Sequence, residues 1–256
     1  MNYLPLLHIA EEAARAAGQH ALQVAASTPS EYKSPDQIVT QADRDCQALI
    51  IQKIITHCPG HGFIGEEGEH GQLFRQEPAG TEPLWWVIDP IDGTRNYANK
   101  ALNFAVSIAL LRDGLPVVGV IYDPSTNQLF SAAIDGPARR NGQPIQCRSE
   151  ALDSNSQVAI SGNYNPPLPS YVARFLERFV CMNLGSAALH YAWVAAGAYS
   201  AAFSLKVKLW DIAAGALICQ RAGARITDLQ DQPVFPCDCR GYRGQPIPLL
   251  IAGSTA

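Results

Sequence analysis

Between residues 4 and 27 the chain is alanine-rich with apolar positions at helical spacing, which predicts a first helix closed by Ser27-Thr28-Pro29. Pro5 fits the first turn, where a missing amide costs nothing. Cys46, Leu49, Ile50 and Ile54 give a second helix one apolar face, and Pro59-Gly60 stops it. From Leu84 to about Ile134 the pattern turns to short β-rich runs divided by Arg112-Asp113-Gly114 and Asp123-Pro124-Ser125, the signature of an antiparallel meander. Beyond residue 155 the two periodicities alternate: strand 157–161, helices 170–180 and 186–198, strand 200–205, helix 211–222, and strands near 224–227 and 248–252. That alternation predicts an α/β (α+β) fold. The one linker-like stretch runs from Asn163 to Pro169, and no repeat or low-complexity segment is present.

The apolar run Leu84-Trp85-Trp86-Val87-Ile88 leads straight into Asp89-Pro90-Ile91-Asp92-Gly93-Thr94, so two carboxylates sit on a tight turn at the end of a buried strand. Pro90 fixes its own φ and removes a donor, and Gly93 permits backbone geometry closed to other residues, so Asp89 and Asp92 can point into one space. Hard oxygen ligands of this kind favour Mg²⁺. If the chain turns helical after Gly93, the Gly93 and Thr94 amides offer a seat for an anion.

Three further acidic segments bear on that site. Glu66 and Glu67 end the apolar run Gly62-Phe63-Ile64 and point in different directions, so one can ligate while the other supports. Asp43 stands three positions after Thr40; read alone, it is a helix-capping carboxylate. Asp211 follows Trp210 and opens the small-residue run Ile212 to Ile218; read alone, it is a helix N-terminal charge.

Composition narrows the class. A chain of 256 residues, 47% hydrophobic, buries a sizeable core. A net charge of −4 with 16% charged residues gives no basic footprint for nucleic acid. There is no long apolar span and no signal-peptide pattern, because Glu11, Glu12 and Arg15 break the N-terminal run, and cytoplasmic residence is the expectation. Seven scattered cysteines read as small buried hydrophobes in a reducing compartment. Only Cys237 and Cys239 stand close enough to suggest metal binding or oxidation. The six histidines form no zinc-protease pair.

Taken in order, Asp43, Glu66-Glu67, Asp89-Pro90-Ile91-Asp92-Gly93-Thr94 and Trp210-Asp211 resemble the motifs of the inositol monophosphatase family of metal-dependent phosphomonoesterases. The connecting text is similar too: Phe104 to Leu111 and Val117 to Asp123 resemble its strand pair, Asn141-Gly142 its hairpin, and Gly185-Ser186-Ala187-Ala188 its small-residue stretch near the substrate. The likeness runs from about Leu4 to about Ala252. It implies a layered αβαβα sandwich of the inositol monophosphatase and fructose-1,6-bisphosphatase type, one domain over residues 1–256. That domain would have a metal-site lobe (about 1–150) and an α/β lobe (about 151–256), with the site between them. It further implies water-driven, lithium-sensitive hydrolysis of a small phosphorylated metabolite such as inositol 1-phosphate, by a homodimer using two to three Mg²⁺ per site.

Roles carry over residue by residue as implications of the resemblance. Glu66, Asp89 and the Ile91 carbonyl would hold a first Mg²⁺, and Asp89, Asp92 and Asp211 a second, with a third, weaker ion reached through Glu66. Asp43 would orient the Thr94 hydroxyl, which helps move a proton from water. Glu67 would support without ligating. Asp92, Gly93, Thr94, Gly185, Ser186, Ala187, Ser204 and Asp211 would contact substrate.

Two departures stand out. Inositol-selective members carry an acidic residue where this chain has Ser204, and an extended 203–208 would place Ser204, Lys206 and Lys208 on one face. If the lysines face the pocket rather than solvent, adenosine bisphosphate, fructose bisphosphate and histidinol phosphate compete as substrates. The chain also ends soon after Gly253, where relatives often continue into a last helix, which bears on C-terminal packing and the dimer contact. Two rival classes remain for comparison. A haloacid dehalogenase-type phosphatase needs Asp-x-Asp, whereas the spacing here is Asp-x-x-Asp. A non-catalytic binding protein on the same fold has no reason to keep every ligand.

Overall fold

The computed structural model describes residues 2–34, 37–79, 83–161 and 170–253; the linker-like stretch from Asn163 to Pro169 lies outside them. In chain order the elements are α1 (Leu4–Val24), β1 (Ser30–Ser34), β2 (Gln37–Thr40), α2 (Gln41–His57), β3 (Gly62–Gly65), a 3₁₀ turn (Glu69–Gly71), β4 (Phe74–Gln76), β5 (Leu84–Asp92) and α3 (Thr94–Ala98). There follow β6 (Ala105–Arg112), β7 (Leu115–Asp123), β8 (Gln128–Ala133), β9 (Arg139–Arg140), β10 (Gln143–Pro144), β11 (Gln157–Ser161), α4 (Ser170–Arg178) and β12 (Val180–Met182). The last elements are α5 (Ala187–Ala195), β13 (Ala201–Ser204), α6 (Leu209–Arg221), β14 (Arg225–Thr227) and β15 (Leu249–Ala252).

The expected meander is present as β5 to β8, each antiparallel to the next, and it is the centre of an eight-stranded sheet ordered β10-β9-β8-β7-β6-β5-β3-β4. Asn141-Gly142 closes β9 onto β10 with both residues at positive φ, as a two-residue hairpin requires. A second sheet is ordered β12-β11-β13-β15-β14 and mixes parallel with antiparallel pairs. Strands β1, β2, β4 and β12 carry too few apolar residues in alternation to stand out in the sequence.

Alternation along β5 shows how the layers form. Leu84, Trp86 and Ile88 pack with Ala10, Ala14 and Ala17 of α1 and with Ile50 and Ile54 of α2, whereas Trp85 and Val87 pack with α5 and α6. The same α5–α6 core takes in Ala159, Ala202, Leu249 and Ile251 from the five-stranded sheet. On that sheet's far face, Ile160 and Phe203 meet Val172 of α4. Helices, sheet, helices, sheet, helix: the fold is a layered αβαβα sandwich. We propose that the two sheets are lobes of one domain, since α5 and α6 belong to a core that both share.

The segment from Asp89 to Asp92, expected as a tight turn, is the end of β5 itself, and there the layering generates a site. Asp89 pairs with Ser107 but Asp92 pairs with Ala105, so β5 spends three residues where β6 spends two. A strict two-residue period would send Asp89 and Asp92 to opposite faces; the extra residue restores them to one. Pro90, unable to donate to the ladder, sits inside this bulge.

Candidate active site

Asp89, Asp92 and Asp211 bring ligand oxygens within 4.8 Å of one another, at the point where β5 and the first turn of α6 converge. Helix α6 begins at Leu209 rather than at Asp211, so Asp211 sits inside the first turn and its Oδ2 accepts the Lys208 amide at 2.6 Å. The helix-cap reading and the ligand geometry therefore hold together in one side chain. Asp92 is tethered from α5: its Oδ2 accepts the Ser186 hydroxyl at 2.5 Å and the Ala188 amide at 2.6 Å. Asp89 uses Oδ1 to accept the Ile91 amide at 3.1 Å, which fixes the bulge. Glu66 follows β3, which runs parallel to β5, and its amide donates to the Ile88 carbonyl, so it flanks the three aspartates rather than joining their tight group.

The carboxylates are too many and too dry to ionise freely. Burial, then the charges of Glu66, Asp92 and Asp211, raise Asp89 well above the ordinary carboxylate range. Burial and the charge of Asp92 push Asp211 up to about 7, and burial raises Asp92 against the pull of its Ser186 and Ala188 hydrogen bonds. A hydrogen bond links Asp89 to Asp211, so the metal-free pair holds a proton. This donor set of hard, mutually repelling oxygens fits a divalent cation of the Mg²⁺ type, which removes the repulsion.

That repulsion has a measurable consequence. A buried carboxyl with a raised pKa binds protons better folded than unfolded, so metal-free stability falls as pH rises from near 3.8 through about 7 for Asp211. A divalent cation held by these oxygens would cancel the loss. The gap between melting temperatures with Mg²⁺ and with chelator should therefore widen from about pH 5 to about pH 8. Each kcal/mol regained is worth roughly 2–4 °C at this chain length. A gap that stays constant or narrows contradicts the assignment.

Asp43 makes the helix-cap bonds and also contacts Thr94. Its Oδ2 accepts the Thr40 amide at 2.8 Å and the Thr40 hydroxyl at 2.5 Å at the start of α2, while Oδ1 accepts the Thr94 hydroxyl at 3.1 Å. Burial is the main reason Asp43 rises to about 6, with the Glu67 charge adding to it. Thr94 Oγ1 also lies 2.9 Å from the Ile91 carbonyl. Gly93, at φ +96, N-caps α3, where a Cβ would run into the Asn103 carbonyl; the Gly93 and Thr94 amides thus lie at the first turn of that short helix. Glu67 is held by its backbone instead, through a pair of bonds to the Gln47 amide group at 2.6 and 2.9 Å.

A cavity of about 250 Å³ opens beside Asp92 and Asp211, and Gly185, Ser186 and Ala187 line it. So do Arg95, Asn96, Ser161, Asn183, His190 and Val207, which the sequence did not mark. His190 accepts the Leu184 amide on Nε2 at 2.8 Å, which leaves Nδ1 to donate to Ser161 Oγ at 2.8 Å, and burial lowers its pKa to about 4. It is a neutral, structural imidazole. No spacing rule could have found it, because its partners come from β11 and from the loop before α5.

The expectation that Ser204, Lys206 and Lys208 share a pocket face is not met. Ser204 ends β13 wholly buried, its Oγ accepting the Tyr191 hydroxyl at 2.7 Å, so it does not line the cavity. The strand stops there, Lys206 projects into solvent, and Lys208 turns to the other side, where Nζ donates to the Gly244 carbonyl. Lys208 lines a second cavity of about 580 Å³ together with Glu66, Arg75, Trp210 and Arg243.

The chain is similar to known proteins over most of its length. The model of the Inositol monophosphatase family matches residues 2–248. Nus factor SuhB of Vibrio cholerae is 35% identical over 233 residues, covering 88% of this chain and 85% of its own. Inositol-1-monophosphatase of Rhizobium meliloti is 32% identical over 216 residues, with 82% and 76% covered. The solved inositol monophosphatase of Anabaena superposes with a TM-score of 0.81 at 31% identity, covering 99% of this chain and 93% of its own. With its motifs gathered by the same fold around one acidic cluster, the chain belongs to the inositol monophosphatase family.

Proposed function

We propose that this phosphoric monoester hydrolase acts on inositol 1-phosphate or a metabolite of similar size, with Mg²⁺ held by Glu66, Asp89, the Ile91 carbonyl, Asp92 and Asp211. The observation that carries the reading is the convergence of three desolvated aspartates beside the Asp43–Thr94 pair at the mouth of a small polar cavity. When bound, Mg²⁺ neutralises phosphate charge and makes water a stronger acid. The chain's own groups do the rest. The Gly93 and Thr94 amides orient phosphate oxygens, Ser186 and Ala188 hold Asp92 at its angle, and Gly185, Ser186 and Ala187 wall the alcohol moiety. Thr94 Oγ takes a proton from the attacking water while passing its own to Asp43, which is ionised above about pH 6.

Hydrolysis of inositol 1-phosphate in ¹⁸O-water tests this. One ¹⁸O should enter the released phosphate, chelation should abolish turnover, and no phospho-aspartate should accumulate. Chelator-resistant activity, or a phosphorylated Asp89, sinks the proposal.

Two to three Mg²⁺ per site, a homodimer and no nucleic-acid partner complete the proposal. Cytoplasmic residence is supported by the seven free cysteines. No helix among the described residues is long and apolar enough to cross a membrane. The name Nus factor, borne by relatives, supports a second reading in which this chain also acts through partner contacts. Under it, a catalytically dead Asp89→Asn chain keeps that role.

Lys208, Arg75 and Arg243 around Glu66 favour substrates that carry a second anionic group. Lys208→Ala and Arg243→Ala should each lower kcat/KM for a bisphosphate about tenfold relative to inositol 1-phosphate, the worth of one charge-assisted contact. An unchanged ratio removes this cavity from the substrate site.

A further inference from the structure

The segment from Phe235 to Gly244 contains two thiols in contact, Cys237 Sγ and Cys239 Sγ, 3.7 Å apart. They belong to a loop fastened at both ends. On one side the Cys237 amide donates to the Gly114 carbonyl at 3.0 Å, and Gly114, at φ +76 in the β6–β7 turn, is packed so closely on Cys237 that a Cβ there has no room. On the other, one guanidinium nitrogen of Arg75 donates to the carbonyls of Cys239 at 2.9 Å and Tyr242 at 2.7 Å. Tyr242 then reaches the catalytic layer: its hydroxyl accepts the Leu209 amide at 2.9 Å and its ring meets Trp210 edge-on, immediately before Asp211.

We propose that Cys237 and Cys239 are a site of reversible oxidation, which a peroxide closes to an intramolecular disulfide, and that closure lowers activity by displacing the first turn of α6. The hydrogen bond from Cys237 and the charge of Arg75 hold the Cys239 thiol below the ordinary thiol range, whereas Cys237 is pushed up and keeps its proton. The Cys239 thiolate attacks one peroxide oxygen, the O–O bond breaks, and a sulfenic acid and hydroxide result; the hydroxide takes up the proton that the Cys239 thiol had released and leaves as water. The Cys237 thiol then attacks the Cys239 sulfur and expels the hydroxyl as a second water. Two thiols and one peroxide give one disulfide and two waters. Any thiol reductant reverses it by exchange.

Moving the sulfurs from contact to bonding distance requires the backbone between them to turn. The Cys239 carbonyl is bonded to Arg75, so Arg75 and Tyr242 must follow or break their bonds. The disturbance reaches Leu209 and Asp211 through one hydroxyl and one ring.

The test uses the full chain and hydrogen peroxide. Cleavage after arginine releases Ile226 to Arg240, a peptide that contains Cys237 and Cys239 and no other cysteine. After oxidation and alkylation that peptide should be two hydrogens lighter and unalkylated, while phosphatase activity falls roughly fivefold or more, with a higher Mg²⁺ requirement, and returns on reduction. Cys237→Ser and Cys239→Ser should each turn over at the wild-type rate and resist the peroxide. If Cys239→Ser does not fold, Cys237→Ser alone decides. Absence of the lighter peptide under peroxide that leaves the protein folded overturns the site. A disulfide that forms without loss of activity, or equal inactivation of Cys237→Ser, overturns the coupling. The mass readout does not depend on phosphatase activity, so this proposal and the assignment of the substrate fail separately.

Discussion

Asp89→Asn should lower kcat by on the order of 10³ or more and, in the absence of metal, raise the melting temperature. The two effects share one cause. Asp89 is the most heavily opposed carboxyl in the cluster, desolvated and facing the charges of Glu66, Asp92 and Asp211. Asparagine has the same shape, can accept the Ile91 amide as Asp89 Oδ1 does, and can donate to Asp211, so the bulge survives while a repelling charge disappears. In the proposed mechanism the same charge is required to hold Mg²⁺. The variant should therefore lose most of the stabilisation that Mg²⁺ gives the wild type. Activity above a tenth of wild type, or a metal-free melting temperature below it, rules out Asp89 as the centre of the metal site.

Functional sites are built where local rules are violated, and that is also where the sequence was most legible. Asp89-Pro90-Ile91-Asp92 by itself is also what an ordinary turn looks like; the structure adds that its proline and two acids stand in a fully buried run, where they form a bulge that collects charge. Asp43 was legible as a cap, and the second use of its other oxygen depended on α3 being brought beside α2, which no local pattern records. The layering came from the resemblance and not from periodicity; its physical form is the division of Trp85 and Trp86 between two cores. The wall of the cavity could not be read from local pattern. Arg95, Asn183 and His190 meet at the cavity through the packing of three separate segments, and each alone resembles an ordinary loop or helix residue. Ser204 failed for a related reason: the two-residue period was extended past the point where β13 stops, and Tyr191, supplied by α5, takes its hydroxyl instead.

The Asp43–Thr94 pair gives the other large effect. Thr94→Ala should reduce kcat about 10²-fold with little change in KM or in the Mg²⁺ concentration for half-maximal rate, because in the proposed mechanism the hydroxyl handles a proton and holds neither metal nor alcohol. Thr94→Ser, which keeps the oxygen, should restore most of the rate. Asp43→Asn should cost a similar factor, and the double variant should be no worse than either single one, since a relay broken at one link loses nothing more at the next. The pH profile separates this from a structural defect. At saturating Mg²⁺ the metal-site carboxylates stay ionised, so the acid limb of kcat belongs to Asp43. Burial and the Glu67 charge raise its pKa to about 6, so below that pH the acceptor is protonated and the rate falls; above it the rate is level. In Asp43→Asn this limb should vanish at the reduced rate. An acid limb that persists near pH 6 in that variant assigns the titration, and the proton, to another group.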